Sequence, residues 1–257
     1  MNVEPQFDGR VAIITGAGGG IGAATAALLA RAGVPVAVVD RNGVGARKIA
    51  AAIAADGGCA HAIELDITDA EAVEASTAQV EAMFGPVGIL VNNAGIAERR
   101  RFLELTAAEW RQVIDVNLTG AFLCSQAVVR RMVEHGQGGV IVNVASVAGL
   151  IGVSQRTGYA ASKHGMVGLT KVLALDLAEY NIRVNAVAPG SVNTPLTSGL
   201  LEQPGARERV AKSHPLGRWA EPEEVAQLIA FLASRQAAFI TGGAFPIDGG
   251  FLAGKTS

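Results

Sequence analysis

The sequence predicts an α/β protein with one doubly wound parallel sheet of about seven strands and helices on both faces. Three observations predict it. Short apolar runs without polar alternation recur along the 257 residues, as expected of strands buried on both faces. Helix patterns with their own start signals separate those runs. Glycine is frequent (32 residues) and follows no collagen-like period, so it marks tight turns and close backbone approaches.

The elements follow in order. Val11-Ala-Ile-Ile-Thr15 is an apolar run ending in glycines and reads as a buried strand. Ile21 to Ala32 is an alanine-rich helix pattern stopped by Gly33, and Val36 to Asp40 is a second strand, completing a βαβ unit. Ala60 to Leu65 reads as the next strand. A helix is expected from about Asp69 to Phe84, with Thr68 and Glu71 at capping-box spacing. Gly88 to Val91 is a strand before Asn92-Asn93-Ala94-Gly95. Thr106 and Glu109 form a second capping box, opening a long helix to about His135. Val140–Val144 reads as a strand, Tyr159–Tyr180 as a helix and Ile182–Ala188 as a strand. Pro222-Glu223-Glu224 places proline and acids in the first turn of a helix reaching about Ala233. Ala244–Ile247 is the last strand. Residues 190–221, with Pro195, Pro204 and Pro215, break the rhythm and read as an irregular substrate lid. No repeat or linker divides the chain, so residues 1–257 read as one domain.

Composition excludes several classes. Lys+Arg is 21 and Asp+Glu 23, a net charge of −2, which gives no basic nucleic-acid-binding domain. With 50 % hydrophobic and 17 % charged residues, the chain is not disordered. Residues 11–30 carry no charge and match a membrane span in length, but Gly16, Gly18, Gly19, Gly20 and Gly22 fall inside, and strand–turn–helix explains them better. Met1 to Arg10 lacks the apolar stretch of a signal peptide, so a cytoplasmic protein without membrane partners is expected. Cys59 and Cys124 make no motif, and each is expected to be a small buried hydrophobe. His61, His135, His164 and His214 are scattered, so no metal site is expected, and His164 is expected to pack or face solvent.

The sharpest local signal is Thr15-Gly16-x-x-x-Gly20-Ile21-Gly22 at a strand-to-helix turn. Glycines there let backbone N–H groups approach a pyrophosphate, and the helix N-terminus adds its positive dipole end. Asp40 ends the next strand, where its carboxylate can accept from the adenosine ribose hydroxyls. Its neighbour Arg41 is the residue that could instead reach a 2′-phosphate. Further on, Tyr159 and Lys163 are i and i+4 and share one helix face. A free phenol titrates near ~10. An adjacent ammonium favours the phenolate, so Lys163 is expected to lower the Tyr159 pKa.

The glycine spacing, with Asn92-Asn93-Ala94-Gly95, Ser146 and Tyr159-x-x-x-Lys163, resembles the short-chain dehydrogenase/reductase family from Val11 to about Gly250. The resemblance implies a Rossmann-like sheet, a nicotinamide cofactor and a homotetramer. It implies that Asp66 and Ile67 contact adenine and that Asn93, Ala94 and Gly95 line the cofactor. It places Val187, Pro189 and Gly190 beside the nicotinamide, with Thr194 on its carboxamide, and Val192 among the cofactor-binding residues. It assigns proton transfer to Tyr159, substrate orientation to Ser146, the nicotinamide ribose and phenol activation to Lys163, and support of a proton-relay water to Asn117. Asp66 also reads as a cap before the next helix, and Pro189-Gly190 as a turn.

NAD is the expected cofactor, because a 2′-phosphate would meet the Asp40 carboxylate, and Gly19 supplies no basic side chain. The expected reaction is reversible hydride transfer with a secondary alcohol, polyol or sugar. The alternatives are an NADP-dependent carbonyl reductase of the 3-oxoacyl-carrier-protein type and a non-catalytic dinucleotide-binding regulator, against which Ser146, Tyr159 and Lys163 argue. Arg156, three residues before Tyr159, reads either as a contact for an anionic substrate or as a surface or subunit-contact arginine. Arg99-Arg100-Arg101 reads as a solvated basic patch or an anion contact.

Overall fold

Apolar runs of five or six residues leave their strands no polar face, so they pair in the middle of the protein and take helices on both sides. The computed structural model describes residues 6–7, 9–201 and 203–254; most of the segment read for a leader lies outside these residues. The first half alternates β1 (Val11–Thr15), α1 (Gly20–Arg31), β2 (Val36–Asp40), α2 (Gly43–Ala55), β3 (Ala60–Glu64), α3 (Ala70–Phe84) and β4 (Val87–Asn92). The second half runs α4 (Ala107–Ile114), α5 (Gly120–His135), β5 (Gly139–Val144), α6 (Thr157–Asp176) and β6 (Ile182–Pro189). It ends with α7 (Ser198–Leu201), α8 (Ala206–Ser213), α9 (Pro222–Ala233) and β7 (Ala244–Ile247).

Among the described residues the seven strands form one sheet in the order β3-β2-β1-β4-β5-β6-β7, each pair parallel. The chain leaves β1 in one direction, returns after β3 and sets β4 on the other side. The carboxyl ends of β1 and β4 therefore flank the switch point where such sheets open a crevice. Alternate strand residues pack oppositely. Ala12 and Ile14 join Leu29 of α1, Ile53 of α2 and Ile229 of α9, while Val11 and Ile13 join Val80 of α3, Val128 of α5 and Ala174 of α6.

Several local expectations change. Helix α2 was not predicted: Gly43 and Gly45 at its start resemble a turn, yet Asn42 caps it by accepting from the Gly45 amide at 3.1 Å. The Thr68–Glu71 capping box does not form. Asp69 caps α3 instead, accepting from Ala72 at 3.0 Å, because Thr68 is held by Asp66. The Thr106–Glu109 box does form, and Glu221 with Glu224 makes another around Pro222. The long helix from Ala107 to His135 has the length and apolar character of a membrane span, but a π-helical turn over Asp115–Thr119 interrupts it and its inner face packs on the sheet. Helix α6 stops at Asp176, and a 3₁₀ turn over Ala178–Tyr180 takes the remainder. Cys124 is buried, which pushes its thiol up to about 12, but Cys59 is exposed beside β3 at the sheet edge. His164 faces solvent and bonds the Ala160 carbonyl. The stretch 190–221 is not wholly irregular: it holds α7 and α8, and a bridge between Val192 and Ala220 closes its neck.

Candidate active site

A cleft of about 450 Å³ opens over the carboxyl ends of the strands, and most of the sequence-selected residues meet there. Its floor is the turn between β1 and α1. Gly16 has φ +64°, and a Cβ there would lie 2.7 Å from the Ala94 Cα. Gly20 has φ +54°, and a Cβ there would crowd Thr194 at 3.2 Å. Both hold a left-handed backbone that side-chain-bearing residues rarely adopt, and at Gly16 the Ala94 backbone also blocks a Cβ. Helix α1 has no side-chain cap and no acid in its first turn, so its N-terminal amides and dipole face the cleft uncompensated.

Asp40 closes one end. Its Oδ2 accepts from the Gly18 amide at 2.9 Å and its Oδ1 from the Asn42 amide at 2.8 Å. These bonds aim the carboxylate and leave it lone pairs for further donors. Arg41, Asp66 and Ile67 line the same end. Both readings of Asp66 meet in one residue: it walls the cleft, and it takes the Thr68 amide at 2.9 Å and the Thr68 hydroxyl at 2.7 Å. Those bonds, with a smaller contribution from Arg41, hold its carboxyl below the usual range.

Asn93 staples the two halves of the sheet. Its Nδ2 donates to Thr15 O at 2.9 Å and Gly16 O at 3.0 Å, while the Asn93 and Ala94 amides donate to Thr15 Oγ1, each at 3.1 Å. Gly22 corrects a sequence expectation. It does not line the cleft but lies behind it, where a Cβ would stand 2.5 Å from Asn93 Nδ2 and Gly16 O. Gly22 is a packing glycine that lets α1 close on the turn. Val187 is likewise buried in the core, whereas Pro189, Gly190, Val192 and Thr194 reach the cleft.

The chemical end gathers on α6 and after β5. The Ser146 Oγ accepts from the Ala148 amide at 3.1 Å, and its hydroxyl is near enough to the Tyr159 phenol to favour the phenolate. Lys163 is buried, and its Nζ donates to Val144 O at 2.6 Å and lies 5.7 Å from the centre of the Tyr159 ring. Burial pulls its ammonium down to about 8, so it is mostly charged at neutral pH. The expected lowering of Tyr159 is not found in the protein alone. Burial pushes the phenol up, because a phenolate there loses water. The Ser146 hydroxyl and the Arg156 charge pull it down, and the Glu98 charge adds to the rise.

Asn117 sits in the π-helical turn and is fully buried, behind the cleft wall. Its Oδ1 accepts from the Ile96 amide at 2.8 Å, and its Nδ2 donates to Ile96 O at 2.9 Å and Ser162 Oγ at 3.0 Å. It ties the loop after β4 to α6. Such single π turns recur at functional sites because they redirect one residue out of the helical register.

The arginines singled out in the sequence have local partners. Arg156 does not line the cleft: its Nη1 donates to Glu98 O at 2.9 Å and its guanidinium stands 5.9 Å from the Tyr159 ring centre. Arg99 donates to Gln155 Oε1 at 3.4 Å, Arg100 pairs with Glu109 at 3.0 Å, and Arg101 is exposed. Sequence reasoning passed over the apolar cleft lining of Ile96, Val116 and Leu196, and over Gln112. Gln112 and Val116 are i and i+4 just before Asn117, a signal that was readable once Asn117 was selected.

The left-handed glycines of the floor, the uncapped helix and the carboxylate at one end fit a dinucleotide, with Ser146, Tyr159 and Lys163 lining the same cleft. Comparison with known proteins agrees. The family described as enoyl-(acyl carrier protein) reductase matches residues 16–252. The cyclohexanol dehydrogenase of Acinetobacter sp. (strain SE19) is 44 % identical over 247 residues, 96 % of each chain. A 3-oxoacyl-(acyl-carrier-protein) reductase of Thermotoga maritima is 41 % identical over 96 % of this chain and 99 % of its own. A short-chain type dehydrogenase/reductase from Mycobacterium marinum, solved by crystallography, superposes with a TM-score of 0.93 at 37 % identity, covering 97 % of this chain and 98 % of that one.

Proposed function

The chain belongs to the short-chain dehydrogenase/reductase family, and from that premise we propose that it is an NAD-dependent dehydrogenase of small neutral secondary alcohols. The observation that carries the cofactor choice is Asp40, whose two oxygens are fixed by the Gly18 and Asn42 amides at the far end of the cleft. A 2′-phosphate about 4 Å from that carboxylate is opposed by about 4 kcal/mol per pair of unit charges at an effective dielectric of 20. A neutral substrate is supported by the lining. Its cationic side chains are Arg41, at the Asp40 end, and Lys163, while Ile96, Val116 and Leu196 offer apolar surface near Ser146.

Bound nicotinamide would accept or return the hydride at the substrate carbon. The residues of this chain handle the oxygen and its proton. Tyr159 takes the hydroxyl proton as the alcohol is oxidised and returns it in reverse. Ser146 holds the substrate oxygen and steadies the charge that develops on it. The Lys163 ammonium lowers the cost of the phenolate, and the positive charge of oxidised nicotinamide acts in the same direction. Lys163 also serves the nicotinamide ribose. Gly16, Gly20 and Ile21 take the pyrophosphate on backbone amides. The stretch 190–221 closes over the substrate, and the protein works as a cytoplasmic homotetramer. The exposed Phe122 of α5 and Val172 and Leu175 of α6 support an assembly face, which sedimentation equilibrium would test.

A second reading, an NADP-dependent 3-oxoacyl reductase, is favoured by Arg41, which also lines the cleft. Steady-state kinetics with both cofactors on cyclohexanol, threitol and a 3-oxoacyl thioester separates the two. The first reading expects NAD to be preferred by at least about tenfold in kcat/KM, only ~1.4 kcal/mol. Preference for NADP would overturn it and make Arg41 the governing residue.

A further inference from the structure

We propose that Glu98 is a positioning residue for the reaction: from the loop after β4 it caps the catalytic helix α6 and fixes where Tyr159 stands. The inference rests on the reading of Tyr159 as proton acceptor. Helix α6 begins without a cap of its own. Its N-cap position is Arg156, whose side chain can only donate and makes no cap bond. The amides of the first turn still need acceptors. Glu98 provides them across 60 residues of sequence. Its Oε1 accepts from Gly158 at 2.7 Å and Tyr159 at 3.1 Å, and its Oε2 also accepts from Tyr159, at 3.0 Å.

The grip is mutual. The Glu98 carbonyl accepts from Arg156 Nη1 at 2.9 Å, and the Arg100 amide donates to Gln155 O at 3.1 Å. Gln155 holds a left-handed backbone, φ +63°, which a non-glycine residue adopts only under constraint. Gly158 is part of the fit, since a Cβ there would lie 3.3 Å from Glu98 Oε1. The amide of Tyr159 is therefore held directly by Glu98. A side chain whose backbone is gripped in this way has less freedom to leave the reacting geometry, and displacements of about 1 Å can cost 10²-fold in rate.

The carboxylate also acts through charge. The groups facing the Tyr159 phenol are Lys163 on the same helix, Arg156 at its cap, Ser146 after β5 and Glu98 after β4. A negative charge disfavours a second one, so Glu98 holds the phenol up while Arg156 holds it down. Bonding and charge can be separated, because glutamine keeps the acceptor oxygen and loses the charge.

The experiment compares Glu98→Ala and Glu98→Gln in kcat, KM and the pH profile of alcohol oxidation. It adds an ultraviolet titration of the phenol in a Tyr180→Phe background, which leaves Tyr159 as the chain's one tyrosine. Glu98→Ala is expected to lose at least about tenfold in kcat with cofactor KM unchanged. Glu98→Gln is expected to recover most of that rate and to move both the phenol midpoint and the rising limb of the profile to lower pH. Wild-type kcat in Glu98→Ala, a Glu98→Gln enzyme as slow as Glu98→Ala, or an unmoved phenol midpoint would each overturn the proposal. The titration needs no turnover, so it stands even if the wild type oxidises no alcohol, a result that would sink the functional reading alone.

Discussion

The two ends of the cleft are built from different materials. The Asp40 end is largely backbone: glycines in tight or left-handed conformations, amides at an uncapped helix and one carboxylate pinned by two N–H groups. The Tyr159 end is made of side chains drawn from distant segments: Ser146 after β5, Lys163 on α6, Asn117 in the π turn, Glu98 after β4 and Leu196 beyond β6. Backbone sites tolerate no variation at fixed positions but make little demand elsewhere. Side-chain sites depend on tertiary partners and can be retuned one residue at a time. The difference implies that changes at one end should leave the other end's selectivity alone.

The largest expected effect is at the side-chain end. Tyr159→Phe removes the proton acceptor and keeps the ring, so turnover should fall by at least ~10²-fold, the low end for general acid–base catalysis. Cofactor binding, read by fluorescence of the reduced form, should persist. Near-normal turnover would break the assignment.

Lys163→Met should sharpen the comparison because Lys163 serves both ends. Turnover should drop by about tenfold or more, and cofactor affinity should weaken as well; unchanged affinity would refute the ribose role. Stability should move the other way. Lys163 is pulled down to about 8 in the fold but titrates near ~10.4 when unfolded. The unfolded chain therefore holds more protons between those values. The destabilisation is complete below about pH 8 and is relieved as pH rises toward 10. Lys163→Met removes it, so at neutral pH its Tm should exceed that of the wild type, and the gap should shrink in alkaline buffer. A gap that grows with pH would contradict the burial account.

The same contrast explains what the sequence made legible. The first βαβ unit, the Gly16–Gly20 turn and Asp40 follow from local spacing, where local chemistry decides the geometry. Helix α2 was hidden because Gly43 and Gly45 suggest a turn, although Asn42 caps the helix they begin. Thr68 lost its expected cap role to the competing bond that its hydroxyl donates to Asp66. Gly22 belonged to the motif yet serves packing, which spacing cannot distinguish from ligand contact. The Glu98–Tyr159 bond and the raised phenol were out of reach, since both depend on which segments meet across the cleft.

A smaller effect is expected at the backbone end. Asp40→Ser should narrow the NAD-over-NADP gap toward unity by removing the charge and freeing Arg41 for a 2′-phosphate, a change of about tenfold. The ranking of alcohols should not change. An unaltered cofactor ratio would show that Asp40 does not govern the choice, and a reordered alcohol series would show that the two ends are coupled.

The smallest effect should come from Arg156→Ala, and it tests the side-chain end most finely. An arginine three residues before the proton acceptor invites an anion-binding role. Its guanidinium is committed instead to the Glu98 carbonyl at 2.9 Å and to the face of Tyr159 at 5.9 Å, outside the cleft lining. Its loss should therefore weaken positioning of the 155–159 segment for every substrate alike. A few-fold drop in kcat, about 0.6–1 kcal/mol, is expected equally for cyclohexanol and for a hydroxycyclohexane carboxylate. The sign of the pH effect is fixed as well. The Arg156 charge favours the phenolate, so its removal should move the rising limb of alcohol oxidation to higher pH, opposite to Glu98→Gln. Cofactor KM should hold steady, since Arg156 touches nothing at the Asp40 end. A selective rise in KM for the carboxylate would restore the anion contact and show that the guanidinium leaves Glu98 when such a substrate arrives.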